Sequence, residues 1–303
     1  MQGLRLGTRG SPLALAQARK VAAAIETAQR WPDGWVHIVE IKTTGDKVQD
    51  RPLAEIGGKG LWTKELDRAL LEGEVDFCVH SMKDVDSIRP GNIHIAAVRP
   101  RGDVRDRIIG APSVDKLKQS ARVGTSSPRR AAQLRRIRPD LEIVPIRGNV
   151  ETRLRKVESG EVDATLLASA GLKRLEINAG TAIPTEVMLP APGQAVIGME
   201  CRTNDTRTQN VLSTVSNEIT YHCVMAERAF TRALGASCHS PVAAFCAFED
   251  GDLRMRAQLF SENGSEMIEE RAVFDCGDNA TPEELAHKML ARAPESIRRL
   301  FGG

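Results

Sequence analysis

Three features of the 303-residue sequence predict an α/β fold carrying a small α+β domain at its C-terminal end. Over the first two thirds, short apolar runs alternate with helical patterns, the signature of βαβ units on a mostly parallel sheet. One phrase then occurs twice: LGTRGSPLAL at Leu6–Leu15 and VGTSSPRRAA at Val123–Ala132 each read as strand, Gly-Thr, polar turn, Ser-Pro and helix. From about Asn217 the pattern changes to a helix, three strand-like runs between Val242 and Phe274, and a closing helix, which describes a three-stranded antiparallel sheet with helices.

Taken in order, Leu4–Gly7 reads as a strand and Ser11–Ala28 as a helix. Ser11 can cap that helix, and Pro12 falls in its first turn, where a missing N–H costs no hydrogen bond. Ala14, Ala18, Val21 and Ile25 follow at helical spacing. Val36–Thr43 reads as a strand, Trp62–Leu71 as a helix and Phe77–His80 as a short buried strand; Thr44–Gly60, with four glycines, reads as a mobile lid. The pattern restarts with strand Arg122–Gly124, helix Pro128–Arg136, strand Glu142–Ile146, helix Val150–Glu158 and strand Ala164–Ala168. Two capped helix N-termini, each aimed at a turn, suggest an anion held in a cleft between two similar domains. Asn217–Leu234 is a helix, Asp250-Gly251 and Asn263-Gly264 mark hairpin turns, and Thr281–Glu284 offers a capping box for the last helix.

Composition narrows the function classes. Seven Phe, three Trp and one Tyr are too few for a surface that stacks bases along a single strand, and a net charge of +2 makes any basic character local. No apolar run approaches the ~18 residues of a membrane span. The opening MQGLRLGTRGSP has no signal-peptide core, which makes the cytoplasm the expected compartment. The six cysteines show no CxxC pair and no zinc spacing; all but Cys238, which falls in the turn between the helix after Asn217 and the following strand, read as small buried hydrophobes.

Residues 122–155 hold nine arginines and no lysine, opposed by Asp140, Glu142 and Glu151. Arginine's planar fork grips carboxylate or phosphate with two parallel bonds. Arg135, Arg136 and Arg138 read as solvated helix face. Arg129 and Arg130 stand in a first helical turn, against the dipole, and make sense if an anion docks there. Arg147 and Arg153 flank another strand-to-helix turn. HSMKDV at His80–Val85 follows a short strand at its carboxyl end, where α/β folds place ligands, and sets Lys83 beside Asp84. His80 and His239 are candidate general bases, although a lone histidine is more often structural.

These motifs, with GGKGLWTKEL (Gly57–Leu66), IRGNVETRL (Ile146–Leu154), AGLKRL (Ala170–Leu175), LPAPGQ (Leu189–Gln194) and AERAF (Ala226–Phe230), fall in the order and spacing of the porphobilinogen deaminase family, which the chain resembles closely over residues 4–250. The resemblance implies two domains like periplasmic binding proteins, 1–98 with 195–215 and 102–191, and a third over 217–303. It implies a dipyrromethane cofactor, made from substrate and held covalently by Cys238, on which four porphobilinogen molecules are joined head to tail with loss of ammonia and released as linear hydroxymethylbilane. Asp84 matches the family's catalytic carboxylate, which would stabilise the cation left by ammonia and move protons, with Lys83 beside it. The resemblance further implies that Ser81, Lys83, Asp84, Thr125, Ser127, Arg129, Arg130 and Gly148 hold the cofactor. Arg9, Ser11, Arg147, Arg153, Lys59, Trp62, Arg174 and Gln194 would hold substrate. It implies a monomer, with neither metal, nucleic acid nor membrane as partner. The chain departs from the common pattern at Asp86, where proline is usual, at Ala195, where a second glycine is usual, at Ala236-Ser237 before Cys238, and at Trp62.

Two rival readings remain at this point. A solute-binding protein would explain the cleft and the arginines but normally carries an export signal and leaves the third domain without a role. A nucleic-acid binder would use the arginines as a phosphate track, against the modest charge and scarce aromatics.

Overall fold

The computed structural model describes residues 3–43, 63–237 and 239–302. The chain forms two compact units, Met1–Gly102 with Ala195–Tyr221 and Asp103–Gln194 with His222–Gly303.

Strand β1 (Leu4–Arg9) enters helix α1 (Pro12–Gln29), where Ser11 Oγ accepts the amide of Ala14 at 3.3 Å. Strand β2 (Val36–Ile41), helix α2 (Lys64–Leu71), strand β3 (Phe77–Ser81), a 3-10 turn (Met82–Asp84) and strand β4 (Ile93–Val98) follow. The second unit opens with β5 (Asp106–Ile109) and β6 (Arg122–Gly124), then α3 (Pro128–Ile137), β7 (Glu142–Val144), α4 (Val150–Glu158), β8 (Ala164–Ala168), α5 (Ser169–Arg174) and β9 (Thr181–Ala182). Strand β10 (Ile197–Arg202) and helix α6 (Thr206–Ser213) lie in the first unit, and α7 (Glu218–Ala233) leads to β11 (Val242–Glu249), β12 (Asp252–Phe260), β13 (Met267–Phe274), α8 (Ala280–Arg292) and α9 (Glu295–Arg298).

The two five-stranded sheets share one winding. Their orders are β2-β1-β3-β10-β4 and β7-β6-β8-β5-β9. In each, three parallel strands meet an antiparallel fourth, and that fourth strand comes from the stretch next to a passage between units. The sequence reading does not identify β4, β5, β9 or β10 as strands. Asp106 and Glu200 interrupt the apolar runs that would have marked the two fourth strands. In the first sheet, Leu4, Leu6 and Phe77 pack with Ala18, Val21 and Ile25 of α1 and with Met199. Burying an aromatic such as Phe77 completely is worth roughly 1.5–3 kcal/mol, so this one-sided helical stripe is what seats α1 on the sheet.

The third sheet, β11-β12-β13, is antiparallel and encloses Phe230, Leu253 and Met289. Asp250 and Gly251 both have positive φ, 55° and 95°, as a two-residue hairpin turn matched to strand twist requires. The second hairpin is wider than the two-residue turn expected. Asn263 Oδ1 gathers the Ser261 hydroxyl and the Ser265 amide inside a Ser261–Glu266 loop. The capping box on Thr281 is replaced by Asp278, whose Oδ1 accepts the amides of Ala280 and Thr281 at 2.8 and 3.1 Å. Cys276, expected to be buried, is exposed because β13 has already ended at Phe274. Among the described residues no helix is long and apolar enough to cross a membrane.

Candidate active site

In the first unit, β1 and β3 run parallel and end at the same sheet edge, so the turns that follow them are neighbours. Arg9, Ser11, Gln17, His80, Ser81 and Asp84 line one cavity of about 60 Å³ there. Gln17, buried on α1, donates from Nε2 to Ser81 Oγ at 2.9 Å and ties the helix to the end of β3. Lys83 and Asp84 are both exposed on the 3-10 turn. The structure thus brings Arg9, Ser11, Ser81 and Asp84 to one cavity. It adds Gln17, whose only signal was an amide among the small apolar residues of α1.

Behind this pocket lies a buried ionic chain. His80 Nε2 stands 3.2 Å from Glu200 Oε2, at ion-pair distance without the alignment of a hydrogen bond. Arg89 donates to Glu200 through Nε at 2.8 Å and Nη2 at 2.9 Å, to Thr63 Oγ1 at 3.2 Å, and to Asp67. Burial of Glu200 favours its neutral form, but His80 and Arg89 outweigh that and draw its pKa down to about 2. Asp67 goes the other way: burial raises it, against the pull of Arg89. Sequence reasoning missed Arg89 and Glu200; the acid inside the apolar run of β10 was the available signal.

The second unit corrects the reading of the arginine cluster. Ser127 caps α3, accepting the Arg130 amide at 3.4 Å, and Thr125 Oγ1 accepts the Ser127 amide at 3.2 Å. Arg129 and Arg130 are buried and fork onto one internal carboxylate, each donating an Nη2 to Asp106 at 2.7 Å. The anion at this first turn is therefore supplied by β5 itself. Burial opposes the charge on Asp106, yet the two guanidiniums hold its pKa far below the usual carboxylate range. The Nε–H groups of both arginines are buried without an acceptor among the described residues.

Gln194, expected to touch substrate, is fully buried; its Nε2 donates to Val104 O at 2.7 Å and Asp106 Oδ1 at 3.0 Å. Arg135 and Arg136 are likewise more than solvated face. They donate to the Glu262 and Ser265 carbonyls at 3.0 and 3.2 Å, holding the β12–β13 hairpin, whose Gly264 sits so close to Ala132 that a Cβ would collide with its carbonyl. Arg138 bonds Asp140 and the carbonyls of Val114 and Leu117. Elsewhere, Gly148, at φ 111°, accepts Arg153 Nε at 3.0 Å just before Asn149 caps α4. Arg147 precedes this turn, and Arg174 ends α5. Lys59, Trp62, Cys238 and the Thr44–Gly60 loop lie outside the described residues.

Two family models cover most of the chain. "Porphobilinogen deaminase, dipyromethane cofactor binding domain" matches residues 4–210, and "Porphobilinogen deaminase, C-terminal domain" matches residues 221–293. A porphobilinogen deaminase of Sphingopyxis alaskensis is 48% identical over 98% of this chain and 96% of its own length. One from Paracoccus denitrificans is 46% identical over 96% and 95%. Among solved structures, the Bordetella pertussis BvgS periplasmic VFT2 domain has a TM-score of 0.42 at 16% identity, over 75% of this chain and 91% of its own, too distant to argue from.

Proposed function

The chain belongs to the porphobilinogen deaminase family, and from that premise we propose that the pocket around Asp84 is where porphobilinogen reacts. The reaction of the family is a transfer: four porphobilinogen molecules are joined head to tail with loss of ammonia, giving linear hydroxymethylbilane for tetrapyrrole biosynthesis. The cofactor is dipyrromethane, which when bound supplies the pyrrole end that is extended and the tether that retains the product.

The residues present suit such a group. Each pyrrole bears an acetate and a propionate, so the donors needed are cations, hydroxyls and amides. Arg9, Ser11 and Ser81 supply them at the first-unit pocket. In the second unit, Thr125 and Ser127 stand at the start of α3, just ahead of Arg129 and Arg130, whose buried Nε–H groups have no acceptor among the described residues. Gly148, Arg147, Arg153 and Arg174 complete the cofactor and substrate contacts assigned to that unit, with Gln194 acting from inside through Asp106. Lys59 and Trp62, outside the described residues, belong to the substrate set of the first unit's stretch of sequence. Departure of ammonia leaves positive charge on the incoming ring. Asp84, exposed on its turn, offers the carboxylate that stabilises it and takes a proton, with Lys83 alongside. Cys238 is the attachment point in this reading. The same reading makes the chain a cytoplasmic monomer that binds neither nucleic acid nor membrane, divided into domains at 1–98 with 195–215, 102–191 and 217–303.

The observation that carries this is the shared pocket of Asp84, Arg9, Ser11 and Ser81 at the ends of two parallel strands. The purified protein incubated with porphobilinogen should give a colour-positive linear product. Its intact mass should exceed the sequence by two deaminated pyrrole units, on the peptide containing Cys238. Asp84→Asn should fold, keep that mass and lose about 10²–10⁴-fold in turnover. Turnover near wild type in Asp84→Asn, or the extra mass on Cys246 or Cys223, would overturn the assignment.

A further inference from the structure

We infer that Glu200 is a positioning residue for this reaction, fixing the Met82–Asp84 turn from behind through His80, with Arg89 as its counter-charge. The inference rests on the reading above that Asp84 reacts. Strand β10 meets the segment leading to Asp84 at three places. Val196 O, just before the strand, accepts the Met82 amide at 3.0 Å. At Gly198 any Cβ would collide with Met82 Sδ, so the thioether lies flat on the strand. Glu200 then reaches His80.

Backbone pairing alone would hold β3 against β10, in the register Ser81 with Ile197, His80 with Gly198 and Cys78 with Glu200. A buried acid adds nothing to that ladder, and an apolar side chain in its place is often as stable or more so. What Glu200 adds is direction. It holds the His80 ring on the side away from the pocket that the ring also lines, next to Ser81 and three residues before Lys83. The charges facing that ring are Glu200 from β10, Asp67 from α2 and Arg89 beyond the turn, with Asp84 and Arg9 on the pocket side. Among the described residues, Arg89 stands between two carboxylates, Glu200 and Asp67. A change at Glu200 is therefore felt electrically and sterically at the wall beside Asp84.

The test uses the full chain carrying its cofactor. His80→Gln leaves the Glu200–Arg89 pair intact. It should keep the two-pyrrole mass and its melting behaviour, lose about 10- to 100-fold in kcat with KM little changed, and alter the pH dependence of kcat. Glu200→Gln should show the same split between kcat and KM, while Glu200→Asp recovers part of the rate. Should Glu200→Gln fail to fold, Glu200→Gln/Arg89→Met removes both charges and should show the same kcat loss. An active wild type, an inactive Asp84→Asn and an unimpaired His80→Gln with the wild-type pH profile would overturn this inference alone. A wild type inert toward porphobilinogen would sink both.

Discussion

Glu200 and Asp106 sit on the fourth strands of two sheets with one winding, each a buried carboxylate gripped by arginine. Their use differs. Glu200 shares a single arginine with Asp67 and turns its other side to a histidine on the pocket wall. Asp106 takes two arginines and a glutamine amide, all inside the second unit. In the first unit the acid backs the pocket lined by Arg9, Ser11, Ser81 and Asp84. In the second it neutralises cations that would otherwise oppose the dipole at the start of α3. A repeated fold carries a buried acid on the strand beside each passage, opposite Cys78 near the start of β3 in one sheet and opposite Ala168 at the end of β8 in the other, and the two acids do different jobs.

The sharpest way to break this comparison is Asp106→Asn. Two buried guanidiniums would lose their counter-charge, and breaking such a pair costs about 3–5 kcal/mol. Urea unfolding should show a loss of that size; a loss under about 1 kcal/mol would mean that water or rearrangement replaces Asp106.

Acid titration separates the two carboxylates. Both have folded pKa values below their unfolded ones, so each contributes stability at neutral pH that disappears as pH falls. The Glu200 contribution should vanish between roughly pH 4.5, its unfolded range, and its folded value of about 2. The Asp106 contribution should continue to decline at still lower pH. Glu200→Gln should therefore flatten the stability–pH curve in the upper window; an unchanged slope there would contradict the assignment.

Smaller effects sharpen the picture of the arginine cluster. Arg136→Leu should cost about 1 kcal/mol through loss of its bond to the Ser265 carbonyl, while Arg155→Leu, on the exposed face of α4, should change stability by less than about 0.5 kcal/mol. Equal melting of the two variants would return Arg136 to the solvated face. Smallest of all, Ala195 holds φ at 70°, a region that suits glycine. Ala195→Gly should raise stability by roughly 0.5 kcal/mol, relief of left-handed strain exceeding the entropy glycine loses on folding. A fall in melting temperature would show that the methyl packs favourably at this buried position.

Much of the fold was legible because it is local. Ser11-Pro12 and Ser127-Pro128 start helices through bonds spanning three residues, and Asp250-Gly251 makes its turn from backbone preference alone. The pocket was half legible for the same reason: HSMKDV announces a strand end. The partners of Arg129 and Arg130 were not, since Asp106 lies more than twenty residues away and its pairing depends on β5 lying next to β8. Arg89 and Glu200 are 111 residues apart, and no pattern along the chain joins them.

The placement of β10 has a consequence for how the chain comes together as it is made. In the first sheet, β10 lies between β3 and β4, which pair with it and not with one another. A chain emerging from its N-terminus thus presents two incomplete edges until residues 197–202 arrive. The second sheet draws all five strands from residues 106–182 and can close earlier. Pairing across such long separations is slow, and unpaired edges invite aggregation meanwhile. Of the two five-stranded sheets, the one begun first is completed second.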